Sequence, residues 1–547
     1  MSWLSLIPPL LVFILGFTTR RIVMSLFAGV VSAAFLATDC HLIDSALLWT
    51  SRLWENSDIP VIISSGLFEG NNFLIMGFVF TLGILIEMIR YSDAAVAFVA
   101  FTENSIRSKK AAETSSLILS HCLCIDDYLS SLTVGSVMRH VTDRFRIPRA
   151  KLAFLTDSMA APIAIITPIS SWAAAIIGFL SENGVSEHRD SHTLLVATPS
   201  NVYLHILPYV FYSMTLVFSM WFVVRLGLRF GTMADHEQIA EETGNLRGGK
   251  EEHAEELADH HQTGRPATII DFFMPLGTLL IATVYFLLSW GDASIIGGSR
   301  SLVGALQNAP ISSVLFAAGG ISMAISVAYY LATRMFPLKT MINVAAGGIK
   351  LMLPVNAILL LSWTLGGLLR EDLHTGQWLA SLLSGSIPAY LIPLIIFWNA
   401  SLISLALGSS WATAAILFPI ALPMVMDMMA VPAPVSLEQM PILLPVFGAI
   451  LSGAVCGDHI SLISETTIMA TTSAGCDHMD HVRTQWLYAV PAFVGTSLAF
   501  LITGILAEGS PTTMLIICAV TALGTSFLML SAMHLLHKRP KEAEAIS

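Results

Sequence analysis

Apolar runs near the length of a membrane span, roughly 20 residues, follow one another along almost the entire chain. They fall near 3–19, 22–38, 72–89, 113–140, 152–180 and 203–227, then near 268–289, 311–332, 351–369, 378–398, 401–429, 442–471, 485–507 and 512–536. Shorter pieces near 44–54, 60–67 and 92–101 suit amphipathic, re-entrant or short spanning segments. Lipid cannot satisfy a free backbone amide, so runs of this kind must be helical. The pattern predicts an all-α polytopic membrane protein of about a dozen transmembrane helices. Four runs, 113–140, 152–180, 401–429 and 442–471, carry polar interruptions, and these predict discontinuous helices.

Composition agrees. Only 12% of the 547 residues are charged and mean hydropathy is +0.73, against roughly 25% charged residues in soluble domains. The net charge of −11 misleads about partners, because nine acidic residues sit in one hydrophilic stretch, Gly231–Arg265. The short loops are basic, and nothing points to nucleic acid. Arg20/Arg21, Arg107/Lys109/Lys110, Arg139/Arg144/Arg146/Arg149/Lys151, Arg225/Arg229, Arg334/Lys339 and Lys538/Arg539 are expected on the cytoplasmic side. The N-terminus is then outside, and the acidic stretch and C-terminal tail are inside. Met1–Phe17 lacks a basic start and a small-residue cleavage site, and reads as a first span, not a signal peptide. Six scattered cysteines read as small core residues, not a disulfide framework.

The hydrophilic stretch carries His236, His253, His260 and His261. Its composition predicts a solvated tether; a metal or pH sensor is the sharper and weaker alternative. The tether divides the chain into an N-terminal transmembrane repeat at 1–230, a linker at 231–265, a C-terminal transmembrane repeat at 266–537 and a tail at 538–547. Each half holds a hydroxyl-rich interrupted segment followed by a polar helix led by aspartate: Asp126–Ser131 then Asp157–Pro162, and Gly408–Thr413 then Asp458–Ser461. Paired interruptions of this kind point to a transport site at a repeat interface. An odd number of spans in the first half would make the repeats inverted.

Carboxylates at membrane depth are costly and mark function. Asp126 and Asp127 are adjacent, so on an intact helix they would diverge by ~100°; unwinding near Gly135 or Ser130-Ser131 would let both contribute. Two carboxylates in one low-dielectric site cannot comfortably both ionise, the simplest basis for trading a proton against a cation. Asp157 precedes Ala161-Pro162 and Thr167-Pro168, which predict a helix broken twice. Asp458 and Glu465 are two helical turns apart and expected on one face with Ser461, with Thr466 and Thr467 beside it. Gly457 would permit close backbone approach or unwinding ahead of them. His459 is either a proton carrier or a packing residue. Ser130, Thr133, Ser158, Ser170, Ser171, Ser409, Ser410, Thr413, Ser461, Ser464, Thr466 and Thr467 are candidate auxiliary oxygens.

Enzyme readings fit poorly. His121, Cys122 and Cys124 lack a partner at zinc-site spacing, and Val455 stands where an intramembrane aspartyl protease needs the first glycine of its Gly-x-Gly-Asp step. Glu69 and Glu87 are lone carboxylates, read as structural or mouth residues.

At Ile125–Met138, Asp157–Trp172, Gly408–Thr413, Gly453–Thr467 and Ala474–Gln485 the chain resembles the NhaC family of Na⁺/H⁺ antiporters, within the wider ion-transporter superfamily. It departs from the family's G-D-H-x-S-P-I-S-D-T-T signature at Leu462 and Glu465, where proline and aspartate are usual. The resemblance implies two inverted repeats with helical hairpins, a mobile transport domain, a dimerising scaffold, and a place in the bacterial inner membrane. Taken with the residues, it gives a Na⁺/H⁺ antiporter with no cofactor. Asp126, Asp127, Asp157 and Asp458 would carry Na⁺ or H⁺, with His459 and Glu465 as secondary titrating groups. Ion-coupled exchange of an organic acid or amino acid is the alternative. Against it, no lysine or arginine lies within 126–138, 157–172 or 453–472 to meet an organic carboxylate.

Overall fold

The computed structural model describes residues 3–19, 21–65, 71–94, 97, 106–189, 193–250, 264–301, 304–305, 309–375, 388–507 and 509–546. Glu69, His253, His260 and His261 lie outside these residues, as does the start of the expected span at 378–398. The expected polytopic helical architecture is present. Among the described residues nine helices are long and apolar enough to cross a membrane, or ten if the bent pair Arg149–Ile166 and Ser171–Glu182 is one span. Three shorter apolar helices, Leu4–Gly16, Ile22–Ala37 and Leu443–His459, accompany them.

Burial sorts the helices into a centre and a periphery. Arg149–Ile166, Ser410–Met428 and Leu443–His459 are buried along nearly their whole length. Ile269–Trp290 and Pro511–Ile546 instead present large apolar side chains such as Ile281, Val520 and Leu528 outward, as helices facing lipid must.

In each half two pairs of consecutive helices meet across a short break, in the order expected from the sequence. The first half has Lys109–Cys122 with Asp127–Arg144, then Arg149–Ile166 with Ser171–Glu182. The second has Ile392–Leu407 with Ser410–Met428, then Leu443–His459 with Glu465–Ala474. Of the breaks that proline and glycine suggested, the one at Thr167-Pro168 is present and those at Gly135 and Pro162 are not. Asp127–Arg144 runs unbroken through Ser130, Ser131 and Gly135, and Arg149–Ile166 passes straight through Pro162, so that helix breaks once, at 167–170. Leu443–His459 includes Gly457 and Asp458 and ends only after them, so the second break needs no proline at Leu462.

Of the two roles expected of Gly457, close backbone approach is the one present. A Cβ on Gly457 would sit 2.2 Å from the Ser401 carbonyl and 2.5 Å from the Leu405 amide, both backbone atoms of the neighbouring helix. Gly457→Ala is therefore expected to destabilise the protein by about 1–3 kcal/mol, the usual cost of overpacking. Thermal unfolding in detergent measures it; an unchanged midpoint would mean that these two helices have room to part.

The hydrophilic stretch departs most from expectation. Gly231–Thr243 is a helix that buries Met233, Ala234, Glu237 and Ala240, not a solvated tether. Its composition cannot build a core, but it need not: Glu237 pairs with Lys109 at 2.9 Å and Lys151 at 2.8 Å, and Glu241 with Arg229 at 2.9 Å. Lys151 also holds Glu113 at 2.9 Å. Farther on, Lys250 reaches Asp480 at 2.8 Å. The cysteines are unpaired; Cys456 and Cys518 are buried and Cys124 and Cys476 pack half-buried against the core, so the core reading fails only for the exposed Cys40 and Cys122. Glu87 pairs with Arg90 at 2.8 Å.

Candidate functional site

Each of the four breaks is closed by the same device. The residue opening the second helix caps it, its side-chain oxygen accepting a backbone N–H three residues on: Asp126 from Leu129 at 2.9 Å, Ser170 from Ala173 at 3.1 Å, Ser409 from Ala412 at 3.3 Å and Ser464 from Thr467 at 3.4 Å. A helix start in a dry interior leaves amides that nothing else would satisfy. The caps make such starts stable where a site is needed.

Direct bonds tie these starts together. Ser171 Oγ donates to Asp126 Oδ2 at 2.8 Å, and the Ser171 amide donates to the Ile125 carbonyl at 2.9 Å. Trp172 Nε1 donates to Asp127 Oδ2 at 3.0 Å. Asp458 Oδ2 accepts from Thr466 Oγ1 at 3.2 Å and Ser410 Oγ at 3.4 Å. Tyr128 OH donates to Glu465 Oε2 at 2.6 Å, and the rings of Trp172 and Trp411 lie 4.5 Å apart. Asp126 and Asp127 both take part without unwinding, because one caps the helix and the other is its first residue. Ser130 and Ser131, one turn on, are buried, and among the described residues neither hydroxyl has a hydrogen-bond partner.

Asp157 forms a second centre. Its Oδ2 accepts from Gln485 Nε2 at 2.8 Å, Thr467 Oγ1 at 3.1 Å and His481 Nε2 at 3.2 Å. His459 lies between Ser158 Oγ and Tyr212 OH, each 2.9 Å from a ring nitrogen, and its carbonyl accepts from Gln485. Asp458 lies within electrostatic reach of Asp127, Asp157 and Glu465.

Not every candidate is brought in. Ser461 Oγ donates to the Leu405 carbonyl at 2.8 Å and Thr413 Oγ1 to the Ser409 carbonyl at 2.9 Å, so both serve backbone. Ser170 donates to the Ala164 carbonyl, and Thr133 is half-buried with no bond to a carboxylate among the described residues. The break at 460–464 separates Asp458 from Glu465, so they do not share a helix face; Glu465 is exposed. Among the described residues no three His, Cys, Asp or Glu side chains converge closely enough to hold a metal ion. His121, Cys122 and Cys124 therefore form no metal group, and the four aspartates are not one four-carboxylate cage.

Sequence reading missed Tyr128, Trp172, Tyr212, His481 and Gln485. His481 and Gln485 had a signal, being one turn apart at i, i+4. Another was overlooked: Ser-Ser-Trp-Ala occurs twice, at 170–173 and 409–412. In both copies the first serine caps its helix and the second donates to a buried aspartate.

Buried carboxylates at capped breaks in membrane helices are features of secondary transporters. The chain belongs to the Na⁺/H⁺ antiporter family, whose profile matches residues 163–505. It is 31% identical to an uncharacterised Haemophilus influenzae protein over 92% of this chain and 91% of that one. Shorter matches are to the Na⁺/H⁺ antiporter NhaC of Alkalihalophilus pseudofirmus and the malate-2H⁺/Na⁺-lactate antiporter of Bacillus subtilis. The first is 38% identical over 15% of this chain and 18% of that protein; the second is 33% identical over 20% and 21%.

Proposed function

We propose that the protein exchanges Na⁺ for H⁺ across the bacterial inner membrane through its intramembrane carboxylates. The observation that carries this reading is the pairing of buried Asp126 and Asp127 with the unpartnered hydroxyls of Ser130 and Ser131. A small hard cation takes oxygen ligands, and hydroxyls and backbone carbonyls can complete what one or two carboxylates begin. Among the described residues no lysine or arginine pairs with Asp126, Asp127, Asp157 or Asp458, though His481 lies 3.2 Å from Asp157, so the charge of Asp126, Asp127 and Asp458 is left for a cation or a proton. Entry of Na⁺ displaces a proton from the carboxylates, and the two occupy the site in turn. Asp458, held by Ser410 and Thr466, joins the second half of the chain to this exchange.

One observation favours an organic solute. The positive ends of four helices open onto the site, and such ends suit a carboxylate; the Bacillus subtilis relative is by name a malate and lactate exchanger. Purified protein in liposomes with a preset pH gradient separates the two. Na⁺ alone, with no organic solute on either side, is expected to collapse the gradient. Collapse only after lactate, malate or an amino acid is added would replace Na⁺/H⁺ exchange with solute exchange.

A further inference from the structure

Where Lys109–Cys122 begins and Phe211–Leu226 ends, a cavity of about 230 Å³ opens beside the docked helix Gly231–Thr243. Five cations line it, Lys109, Lys110, Lys151, Arg225 and Arg229, against the carboxylates of Glu113 and Glu237. Three of the cations are neutralised: Lys151 by Glu113 and Glu237, Lys109 by Glu237 and Glu241, and Arg229 by Glu241. Lys110 and Arg225 are exposed, and among the described residues neither has an ion-pair or hydrogen-bond partner. The cavity thus carries surplus positive charge at its rim while its acids are already engaged. Ile118 and Phe218, on the same two helices toward the membrane interior, are 50% and 54% exposed. A cationic rim above an apolar helix surface is complementary to a molecule with an anionic phosphate head and hydrocarbon tails.

We propose that this cavity binds an anionic glycerophospholipid of the cytoplasmic leaflet, its phosphate between Lys110 and Arg225 and its acyl chains along Ile118 and Phe218. The basic loops place this end of the helices at the cytoplasmic surface, where anionic headgroups gather. Lys109–Cys122 leads directly into the break that presents Asp126 and Asp127. Lipid held at its start therefore fixes one end of the element that carries the site. The proposal does not depend on which species is exchanged.

Native mass spectrometry of the full chain, released from micelles with phosphatidylglycerol or phosphatidylcholine, tests it. Each basic residue removed near an anionic headgroup weakens binding roughly fivefold. Lys110→Gln/Arg225→Gln is expected to cut phosphatidylglycerol retention by about 30-fold and leave phosphatidylcholine unaffected. Arg334→Gln/Lys339→Gln, a pair of exposed cations on another basic loop, should retain the lipid as wild type does. Equal retention of both lipids by the wild type would overturn the proposal, as would equal loss in both double variants, which marks general surface attraction. Thermal shift with inorganic phosphate supplies the last arm. Stabilisation by free phosphate that phosphatidylglycerol cannot match would make this a soluble-phosphate site and reject the lipid.

Discussion

Asp458→Asn is expected to reduce Na⁺-driven collapse of a pH gradient to the level of empty liposomes, with expression and thermal unfolding close to wild type. The amide keeps an oxygen where Asp458 Oδ2 accepts from Ser410 and Thr466 at 3.4 and 3.2 Å, so the bonds joining the helix starts survive. What is lost is the capacity to carry a charge and to give up a proton. Neutral amides at membrane depth are far cheaper than carboxylates, so the variant folds without difficulty and fails only in exchange. Ser461→Ala is the internal control. It lies three residues on, yet serves the Leu405 carbonyl, and should leave exchange intact. Normal flux in Asp458→Asn would remove this residue from the transport cycle.

Lys151→Met should have the largest effect on stability. The ammonium lies between Glu113 and Glu237 at 2.9 and 2.8 Å, with its side chain 3% exposed and theirs 4% and 2%. Removing one partner from a buried ion group leaves charge that nothing offsets, at a cost of about 3–5 kcal/mol. The helix Gly231–Thr243 depends on this group for its place on the bundle, so protease should cut there in the variant well before the wild type. Replacing all three charges, as in Lys151→Met/Glu113→Gln/Glu237→Gln, should recover part of the loss, because buried amides cost far less than unpaired buried carboxylates and Lys109 keeps Glu241. Equal sensitivity of the single and triple variants in melting and proteolysis would show that the charges do not hold the helix.

Span positions were legible because a membrane helix declares itself within one stretch of sequence. Ile311–Ala332 matches the apolar run that foretold it; Leu338–Gly367 starts 13 residues before its run because Lys339, Thr340 and Lys350 lower hydropathy without stopping a helix. The site carboxylates were legible for the related reason that each is an expensive exception. The breaks were less so. Pro162 and Gly135 looked like interruptions, but a membrane helix tolerates a proline when neighbours satisfy the freed carbonyl, and glycine also serves close packing. The true breaks were marked by the serines and aspartate that cap the second helix of each pair. What was beyond sequence is that Thr467, His481 and Gln485 meet at Asp157, since they are 310, 324 and 328 residues away. So was the docking of the acidic stretch, since Glu237 finds Lys109 and Lys151 across 128 and 86 residues.

The two Ser-Ser-Trp-Ala helix starts also give the protein an optical character. The indoles of Trp172 and Trp411 lie 4.5 Å apart with their planes inclined by 34°. Rings this close share excited states, and that coupling falls steeply with separation. One indole belongs to each half of the chain, so any motion that draws the halves apart is written into the near-ultraviolet circular dichroism and emission of the unlabelled protein.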